Sequence, residues 1–412
     1  MPDRELSEIH RMKTHRMKTH RVRYVVCIPD GASDEPLAEL GGRTPLEAAS
    51  MPALARLAAR AEVGRAATIP AGLPPGSDVG NMSILGYDPA RYHTGRAPIE
   101  AAAMGVDLVP GQVAYRCNLV TVDDASGTMV DFSAGHIATE LSAPIIRAVD
   151  AELGAGRDGI SFHPGVMYRH VMVAPSELGK ADCAPPHDLI GRAATLPEGP
   201  AAEPLRRIME ASKEIVRAKA AELGASATQI WLWGQGTRPA LPAFADRFGV
   251  SGRLVTAVDL IRGLGVLSGI DPVEVPGATG YYDTDYEAKR DAALASLADR
   301  DLFVIHVEAS DEAGHNGEVD RKIEALENWD RRIIGPLAEA LDGSGPWRML
   351  LLPDHPTPCA RRTHTSDAVP YLLYDSRAAG PGGEYTESAT AGCRPVVGHD
   401  LMARLLEREP AT

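Results

Sequence analysis

Three short apolar runs, each closed by acidic or histidine residues, constrain the fold of this chain most strongly. The runs are YVVCIPD (24–30), FVIHVEASDEAGH (303–315) and MLLLPDH (349–355). Each begins like a buried strand, and the last two are separated by a helical pattern, KIEALENWDRRIIGPLAEAL (322–341). Another helical pattern, YEAKRDAALASLADR (286–300), precedes the second run. Strands that alternate with helices predict an α/β fold, with a mainly parallel sheet sandwiched by helices.

The residues that close these runs are candidates for one metal site. They are Asp30, Asp311, His315, Asp354 and His355. Each alone is more often a turn residue or an ordinary surface histidine, but ligand-binding groups gather at the carboxyl ends of parallel strands. Three such ends therefore indicate a shared site.

Spacing refines this hypothesis. Asp311 and His315 are four residues apart and share one face if they are helical. Asp354 and His355 are adjacent and point to opposite sides of an extended chain, so they can serve two different metals. His364 follows in a loop that can fold back. A mixture of aspartate and histidine suits Mn²⁺ or Zn²⁺, with Mg²⁺ as a further alternative.

The remaining organisation is predicted from composition and pattern. Residues 110–270 contain short strand patterns, an amphipathic stretch at 203–224 and the aromatic run IWLWGQG (230–236), and we interpret them as an inserted α+β domain. The core then comprises 23–109 and 271–412. The stretch at 44–64 has helical spacing. Residues 1–22, with RMKTH written twice, are predicted to be a disordered extension.

Charge and composition exclude several classes of function. With 42 basic and 56 acidic residues the net charge is −14, which gives no long-range attraction to nucleic acid or to anionic membranes. No apolar run is long enough for a transmembrane helix, and the N-terminus lacks a signal-peptide pattern. Five scattered cysteines without a CxxC pair favour a reducing cytoplasm. Whether the chain forms a homo-oligomer is left open.

Several long motifs carry a resemblance to a known family. They are PDGASDEPLAELGGRTPLEAA (29–49), PPGSDVGNMSILGYDP (74–89), YHTGRAPIEAAAMGVDL (92–108), IWLWGQG (230–236), VPGATGYYDTDYEAK (275–289), HVEASDEAGH (306–315) and LPDHPTPCARRTHT (352–365). With them the chain resembles the archaeal-type, cofactor-independent phosphoglycerate mutases of the alkaline-phosphatase superfamily. The resemblance implies an alkaline-phosphatase-like α/β core that binds metals and carries a mobile inserted domain.

The resemblance also implies a mechanism and its residues. Asp311, His315 and His364 would hold one divalent metal, and Asp30, Asp354, His355 and the Ser77 oxygen would hold a second. Ser77 would be the nucleophile and would carry the phosphate as phosphoserine, without 2,3-bisphosphoglycerate. Metal coordination lowers the pKa of a hydroxyl, which activates an otherwise weak nucleophile. The substrate would be a small phosphorylated hydroxy acid, most simply 3-phosphoglycerate.

One segment departs from the family pattern and leaves the substrate open. DFSAGH (131–136) stands where family members carry a segment like DRRAGR, so Phe132, Ser133 and His136 replace arginines that bind anions bidentately. The alternatives are a homoserine kinase, as proposed for a sister subgroup, and a mutase for a phosphonate analogue of phosphoglycerate. The candidate substrate contacts are Arg96, Arg116, His136, Arg169, His170, His187 and Lys322.

Overall fold

In the computed structural model, which describes residues 21–407, the chain divides into two units. The smaller unit consists of Arg91–Leu241 and Asp259–Ser268, and the larger unit consists of the remaining described residues. The smaller unit begins earlier than the insertion predicted at 110, because a helix at Ala97–Ala103 packs on its sheet. The predicted disordered extension over 1–22 lies, apart from its last two residues, outside the described part of the chain.

Strands and α-helices are numbered in chain order. The strands are β1 Arg23–Pro29, β2 Glu62–Ala67, β3 Gln112–Val122, β4 Met129–Asp131, β5 Ser161–His163, β6 Arg169–Pro175, β7 Gln229–Gly236, β8 Gly252–Val255, β9 Asp271–Pro272, β10 Leu302–Val307, β11 Trp347–Leu351, β12 Val369–Asp375 and β13 Val396–Val397. The helices are α1 Pro45–Ala48, α2 Pro52–Ala58, α3 Ser77–Ile84, α4 Pro89–Tyr92, α5 Ala97–Ala103, α6 Thr139–Leu153, α7 Ala202–Leu223, α8 Phe244–Phe248, α9 Asp259–Ser268, α10 Tyr286–Ser296, α11 Ala309–Asn316, α12 Val319–Trp329, α13 Gly335–Asp342, α14 Glu387–Thr390 and α15 Asp400–Leu405.

The larger unit is built on a mostly parallel sheet in the order β13-β2-β12-β11-β1-β10-β8-β9. Strand β12 runs antiparallel to both of its neighbours, β11 and β2. Strand β1 lies between β11 and β10, with Cys27 opposite Leu351 and Ile28 opposite His306. The three runs that the sequence singles out are therefore adjacent strands. The predicted α/β fold with a mainly parallel sheet is confirmed.

Two helical predictions need correction. The stretch at 44–64 forms two short helices, α1 and α2, followed by β2. Pro45 and Pro52 each stand at the first turn of a helix, where a missing N–H costs no hydrogen bond, so each proline begins a new helix. The stretch at 322–341 contains a π-helical turn at Asp330–Ile334 between α12 and α13.

The π-helical turn has a packing role. The carboxylate of Asp330 accepts hydrogen bonds from the backbone N–H groups of Ala53 (3.1 Å) and Leu54 (2.7 Å). These are among the first N–H groups of α2, whose own N-cap, Met51, provides no side-chain acceptor. A residue distant in sequence thus caps this helix.

The smaller unit has an antiparallel sheet in the order β4-β3-β6-β5, and β7 also pairs with β3. On one face, Tyr115, Cys117 and Leu119 of β3 pack in an apolar cluster with residues of α6 and α7. On the other face, Ala114 packs with Ala97 and Ala101 of α5. The alternation along β3 is the period of two that a sheet covered on both faces requires. Among the described residues, no helix is both long and apolar enough to cross a membrane.

Candidate metal centre and phosphate-transfer site

The candidate metal centre lies in the larger unit, at the carboxyl ends of β1, β10 and β11. Asp30 follows the last residue of β1 directly. Helix α11, which carries Asp311 and His315, begins two residues after β10 ends. Asp354 and His355 follow β11 by three and four residues. Because these strands are neighbours in the sheet, their closing residues converge.

The first group of candidate ligands surrounds the hydroxyl of Ser77. Its Oγ lies 3.2 Å from Nε2 of His355 and 3.4 Å from Oδ2 of Asp30. Nε2 of His355 lies 3.4 Å from Oδ2 of Asp354 and 3.7 Å from Oδ1 of Asp30. One ligand atom each from Asp30, Asp354 and His355 lies within 4.8 Å of the others, and all three residues are buried.

The second group consists of Asp311, His315 and His364. Nε2 of His315 lies 3.3 Å from Oδ2 of Asp311, so the predicted helical face is present in α11. Nε2 of His364 lies 2.9 Å from Nε2 of His315 and 3.5 Å from Oδ1 of Asp311. The loop after β11 therefore folds back onto the helix. Two imidazoles and one carboxylate pointing at one place suit a divalent transition metal.

The expected opposition of Asp354 and His355 is wrong. Oδ2 of Asp354 and Nε2 of His355 lie 3.4 Å apart, so the two side chains point to the same side, because the chain bends at these residues instead of continuing as a strand. His355 also lies within ligand distance of the second group, with Asp311 and His364. His355 is thus the residue shared by the two groups.

Ser77 stands at the first position of α3, after Gly76. Its hydroxyl faces Asp30 and His355. Helix α3 approaches the loop after β11 so closely that a Cβ at Gly80 would lie 2.5 Å from the carbonyl oxygen of Asp354. Ser77 lies at the N-terminal end of α3, where the positive end of the helix dipole favours negative charge.

Electrostatics of the first group favour a bound cation. Burial raises the pKa of Asp30 well above its ordinary value, and the nearby charges of Asp354, Asp311 and Glu308 raise it further. Oδ1 of Asp30 is buried without a hydrogen-bond partner. Buried carboxylates that repel one another need a compensating positive charge. The donor set and this orphaned oxygen fit divalent metal ions.

His315 behaves differently from His355, the buried histidine of the first group. Burial opposes its protonation, but the hydrogen bond to Asp311 and the charge of Asp311 outweigh burial and raise the pKa of His315 to about 9. Burial lowers the pKa of His355. A metal at the second group would therefore have to displace a proton from His315.

The smaller unit brings three of the predicted substrate contacts together around Arg116. Its guanidinium lies 2.8 Å from the carboxylate of Glu100 and 4.1 Å from the ring centre of Trp233. Burial lowers the pKa of Arg116, Glu100 raises it, and the charges of Arg96 and Arg169 lower it further. Arg96 and Arg169 therefore lie close enough for their charges to act on Arg116, and a group of guanidinium groups suits an anionic ligand.

The two exposed histidines among the predicted contacts belong to a cluster of rings beside these arginines. His187 lies 5.3 Å from Trp233 and 6.2 Å from Phe132, and Phe132 lies 6.4 Å from His136. Ser133, the third residue of DFSAGH that stands in place of an arginine, has a structural role. It is buried, its hydroxyl donates a hydrogen bond to Asp131, and its oxygen accepts one from the backbone N–H of His136. His170 is buried, which lowers its pKa to about 3 and keeps it neutral.

Lys322 is set apart from the other predicted substrate contacts. It is fully buried in the larger unit, and its ammonium group donates to Asp34 Oδ2 (2.8 Å), to the carbonyl of Thr357 (2.8 Å) and to the carbonyl of Ser33 (3.3 Å). These three acceptors match the three protons of the ammonium group. The arrangement favours a role in holding the loop after β11 over direct contact with a substrate.

Sequence reasoning missed several polar residues that contact the candidate ligands. His306 lies with Nε2 2.9 Å from Oδ2 of Asp30, Asn81 contacts Asp354, and Thr357 contacts Asp311. Burial lowers the pKa of His306 to about 4. Asn81 stands one helical turn after Ser77, and this spacing could have identified it in the sequence as a neighbour of the site. His306 and Thr357 sit inside apolar or proline-rich stretches that give no such signal.

Comparison with known proteins agrees with this architecture. A family model described as 2,3-bisphosphoglycerate-independent phosphoglycerate mutase matches residues 58–221. The protein of that name from Methanosarcina acetivorans is 46% identical over 94% of this chain and 100% of its own length. A probable 2,3-bisphosphoglycerate-independent phosphoglycerate mutase from Geobacter sulfurreducens is 44% identical over 94% of this chain and 100% of its own length.

Two solved structures share the fold. A protein from Pyrococcus horikoshii superimposes with a TM-score of 0.79 at 27% identity, covering 95% of this chain and 99% of its own. The cofactor-independent phosphoglycerate mutase from Thermoplasma acidophilum superimposes with a TM-score of 0.64 at 24% identity, covering 94% and 99%. With the full-length relatives above, these findings establish that the chain belongs to the family of 2,3-bisphosphoglycerate-independent phosphoglycerate mutases.

Proposed function

We propose that this protein interconverts 3-phosphoglycerate and 2-phosphoglycerate, with Ser77 as the transient carrier of the phosphoryl group. The observation that carries the proposal is the position of the Ser77 hydroxyl, 3.2 Å from His355 and 3.4 Å from Asp30, at the start of α3. The names of the full-length relatives support this reaction. A cytoplasmic, glycolytic role belongs to the same proposal.

The proposal includes two divalent metal ions, with Mn²⁺ preferred and Zn²⁺ or Mg²⁺ as alternatives. Asp30, Asp354, His355 and Ser77 would hold one ion, and Asp311, His315 and His364 would hold the other. When bound, such ions lower the pKa of a coordinated hydroxyl and offset the charge of a transferring phosphoryl group. The crowding of buried carboxylates around Asp30 supports this part of the proposal.

In the proposed reaction, Ser77 takes part in two successive transfers. Ser77 Oγ forms a bond to the phosphorus as the bond to the substrate oxygen breaks, and the departing oxygen gains the proton that Ser77 loses. The second hydroxyl of the glycerate then forms a bond to the phosphorus as the bond between phosphorus and Ser77 Oγ breaks, and the proton that this hydroxyl loses passes to Ser77. The N-terminal end of α3 favours negative charge on Ser77 in the intermediate. No 2,3-bisphosphoglycerate is consumed in this cycle.

The arginine cluster of the smaller unit is proposed to bind the substrate. Arg96, Arg116 and Arg169 would contact its anionic groups, and the exposed His136 and His187 would contact it beside them. Trp233 and Glu100 hold Arg116 from two sides, which restricts its guanidinium to one orientation. A preoriented guanidinium loses little conformational entropy when it binds a carboxylate or phosphate.

The two alternative functions that the sequence analysis leaves open differ from the proposed function in their substrates. A homoserine kinase would require ATP as the phosphoryl donor, and the other alternative is a mutase that acts on a phosphonate analogue of phosphoglycerate. The relatives are named for phosphoglycerate, which favours the mutase over both alternatives.

A substrate comparison tests the proposal. Purified protein loaded with Mn²⁺ is assayed with 3-phosphoglycerate in an enolase-coupled reaction, and separately with ATP and homoserine. We expect metal-dependent formation of 2-phosphoglycerate without 2,3-bisphosphoglycerate, and no homoserine-dependent loss of ATP. ATP consumption that requires homoserine, with no mutase turnover, would contradict the assignment.

A further inference from the structure

The loop after β11 contains a buried threonine whose backbone is fixed on both sides. Thr357 is fully buried, two residues after His355. Its N–H lies within hydrogen-bond distance of the carbonyls of Gly31 (3.3 Å) and Ser33 (3.2 Å). Its own carbonyl accepts the ammonium group of Lys322 at 2.8 Å. These contacts fix where the Thr357 hydroxyl must lie.

That hydroxyl contacts one candidate ligand from each metal group. Oγ1 of Thr357 donates to Oδ1 of Asp311 at 2.5 Å and lies 3.3 Å from Nδ1 of His355. Gly31 makes this approach possible, because its φ is +59° and a Cβ there would lie 2.4 Å from Oδ1 of Asp311 and 2.5 Å from Oγ1 of Thr357. Any larger residue after Asp30 would separate the pair.

The protons can be assigned from the chemistry of the three groups. A metal-binding carboxylate has no proton and only accepts, so the single hydroxyl proton of Thr357 is directed to Asp311. The hydroxyl oxygen can then only accept from His355, which requires a proton on Nδ1 of that imidazole. This tautomer leaves the lone pair on Nε2, the atom that faces Ser77 and Asp30. Second-shell partners commonly set the tautomer of a metal-binding histidine in this way.

We propose that Thr357 is a positioning residue for both metals, orienting Asp311 as it fixes the tautomer and orientation of His355. The inference rests on the proposed two-metal centre. A single hydroxyl couples the two ligand groups, so its loss weakens both sites together. Lys322 and Gly31 support this role by holding the backbone of Thr357 and by leaving space for its hydroxyl.

Metal titration of matched variants tests the inference. Metal-free wild type, Thr357→Val and Thr357→Ser are titrated with Mn²⁺ by calorimetry, because valine has the shape of threonine without the hydroxyl and serine keeps the hydroxyl. We expect Thr357→Val to lose about 10- to 100-fold in affinity at both sites. Thr357→Ser should stay close to wild type. Thermal unfolding of the metal-free proteins is measured alongside, since a purely structural role would lower stability and leave affinity unchanged.

The outcomes separate this inference from the proposed function. Wild-type affinity at either site in Thr357→Val, while the wild type binds two ions, would overturn the role of Thr357 alone. A wild type that binds fewer than two ions would overturn the two-metal centre and this inference together.

A second measurement needs no variant. Nitrogen NMR of the histidine side chains in metal-free wild-type protein reports the tautomer of His355. A proton on Nδ1 supports the inference, and a proton on Nε2 overturns it.

Discussion

The side-chain amide of Asn81 donates a hydrogen bond of 2.8 Å to Oδ2 of Asp354. The same amide nitrogen donates to the carbonyl oxygen of Ser77 at 2.9 Å. Asn81 is fully buried and lies one turn after Ser77 in α3. This residue therefore ties the helix that carries the proposed nucleophile to the loop that carries two proposed metal ligands.

Replacing Asn81 with alanine should impair turnover more than it impairs folding. Asp354 would lose an orienting donor, and we expect kcat to fall about 10- to 100-fold. The free energy of unfolding should fall by about 1–3 kcal/mol, because a buried acceptor loses its partner. Ser83→Ala is a matched control, since Ser83 is buried in the same helix and its hydroxyl has no hydrogen-bond partner. Equal kcat values for the two variants would refute the role of Asn81.

Metal affinity should rise with pH because of His315. Its pKa in the metal-free protein is raised from 6.5 to about 9. Protonated His315 contributes its full stabilisation to the metal-free fold below about pH 6.5. This contribution is lost as the pH rises through about 9. Metal binding must release the same proton, so apparent affinity should increase up to about tenfold per pH unit until about pH 9 and then level off. Calorimetric titrations with Mn²⁺ across this range test the trend, and a constant affinity would contradict it.

Arg169 provides a test of the proposed substrate cluster. Its Nε is buried without a hydrogen-bond partner, and its charge acts on Arg116. We expect Arg169→Met to raise the KM for 3-phosphoglycerate about 10- to 100-fold, because a charge-assisted hydrogen bond is lost. Arg238→Met is the control in the same unit, since Arg238 is exposed and pairs with Asp107. An unchanged KM in Arg169→Met would remove Arg169 from the proposed contacts.

Asp330 should matter for stability and not for chemistry. It caps α2 from the π-helical turn, so Asp330→Ala should lower the free energy of unfolding by about 1–2 kcal/mol. Denaturant unfolding of the metal-free protein measures this effect. Asp320→Ala, at an exposed position in the first turn of α12, should cost less than about 0.5 kcal/mol. Equal losses in the two variants would mean that the cap contributes nothing specific.

The sequence indicated the centre of the fold and the candidate ligands because both follow short-range patterns. Apolar runs ending in Asp30, Asp311 and Asp354 predicted strands with a common edge, and β1, β10 and β11 are neighbours with that edge. The spacing of Asp311 and His315 predicted a shared helical face, and α11 provides it. The assignment of metals and phosphate to these residues stays a prediction.

The features that escaped prediction depend on tertiary contacts. Asp354 and His355 face the same side because the chain bends after β11, which an alternating strand pattern cannot reveal. Thr357 contacts Asp311 of α11, and His306 contacts Asp30 after β1, so each partner is distant in sequence and no local spacing marks the pair. Lys322 was predicted to be a substrate contact, and the structure shows its ammonium group buried between two loops. The start of the smaller unit was misplaced for the same reason, because α5 belongs with β3 through packing alone.

The most direct test of the account is the turnover and metal content of Ser77→Ala. If Ser77 carries the phosphoryl group, conversion of 3-phosphoglycerate to 2-phosphoglycerate should fall by about a thousandfold or more, because no other group takes its place. The remaining proposed ligands should still hold metal at nearly the wild-type amount. Full turnover by Ser77→Ala, with metal content equal to that of the wild type, would contradict the phosphoserine mechanism.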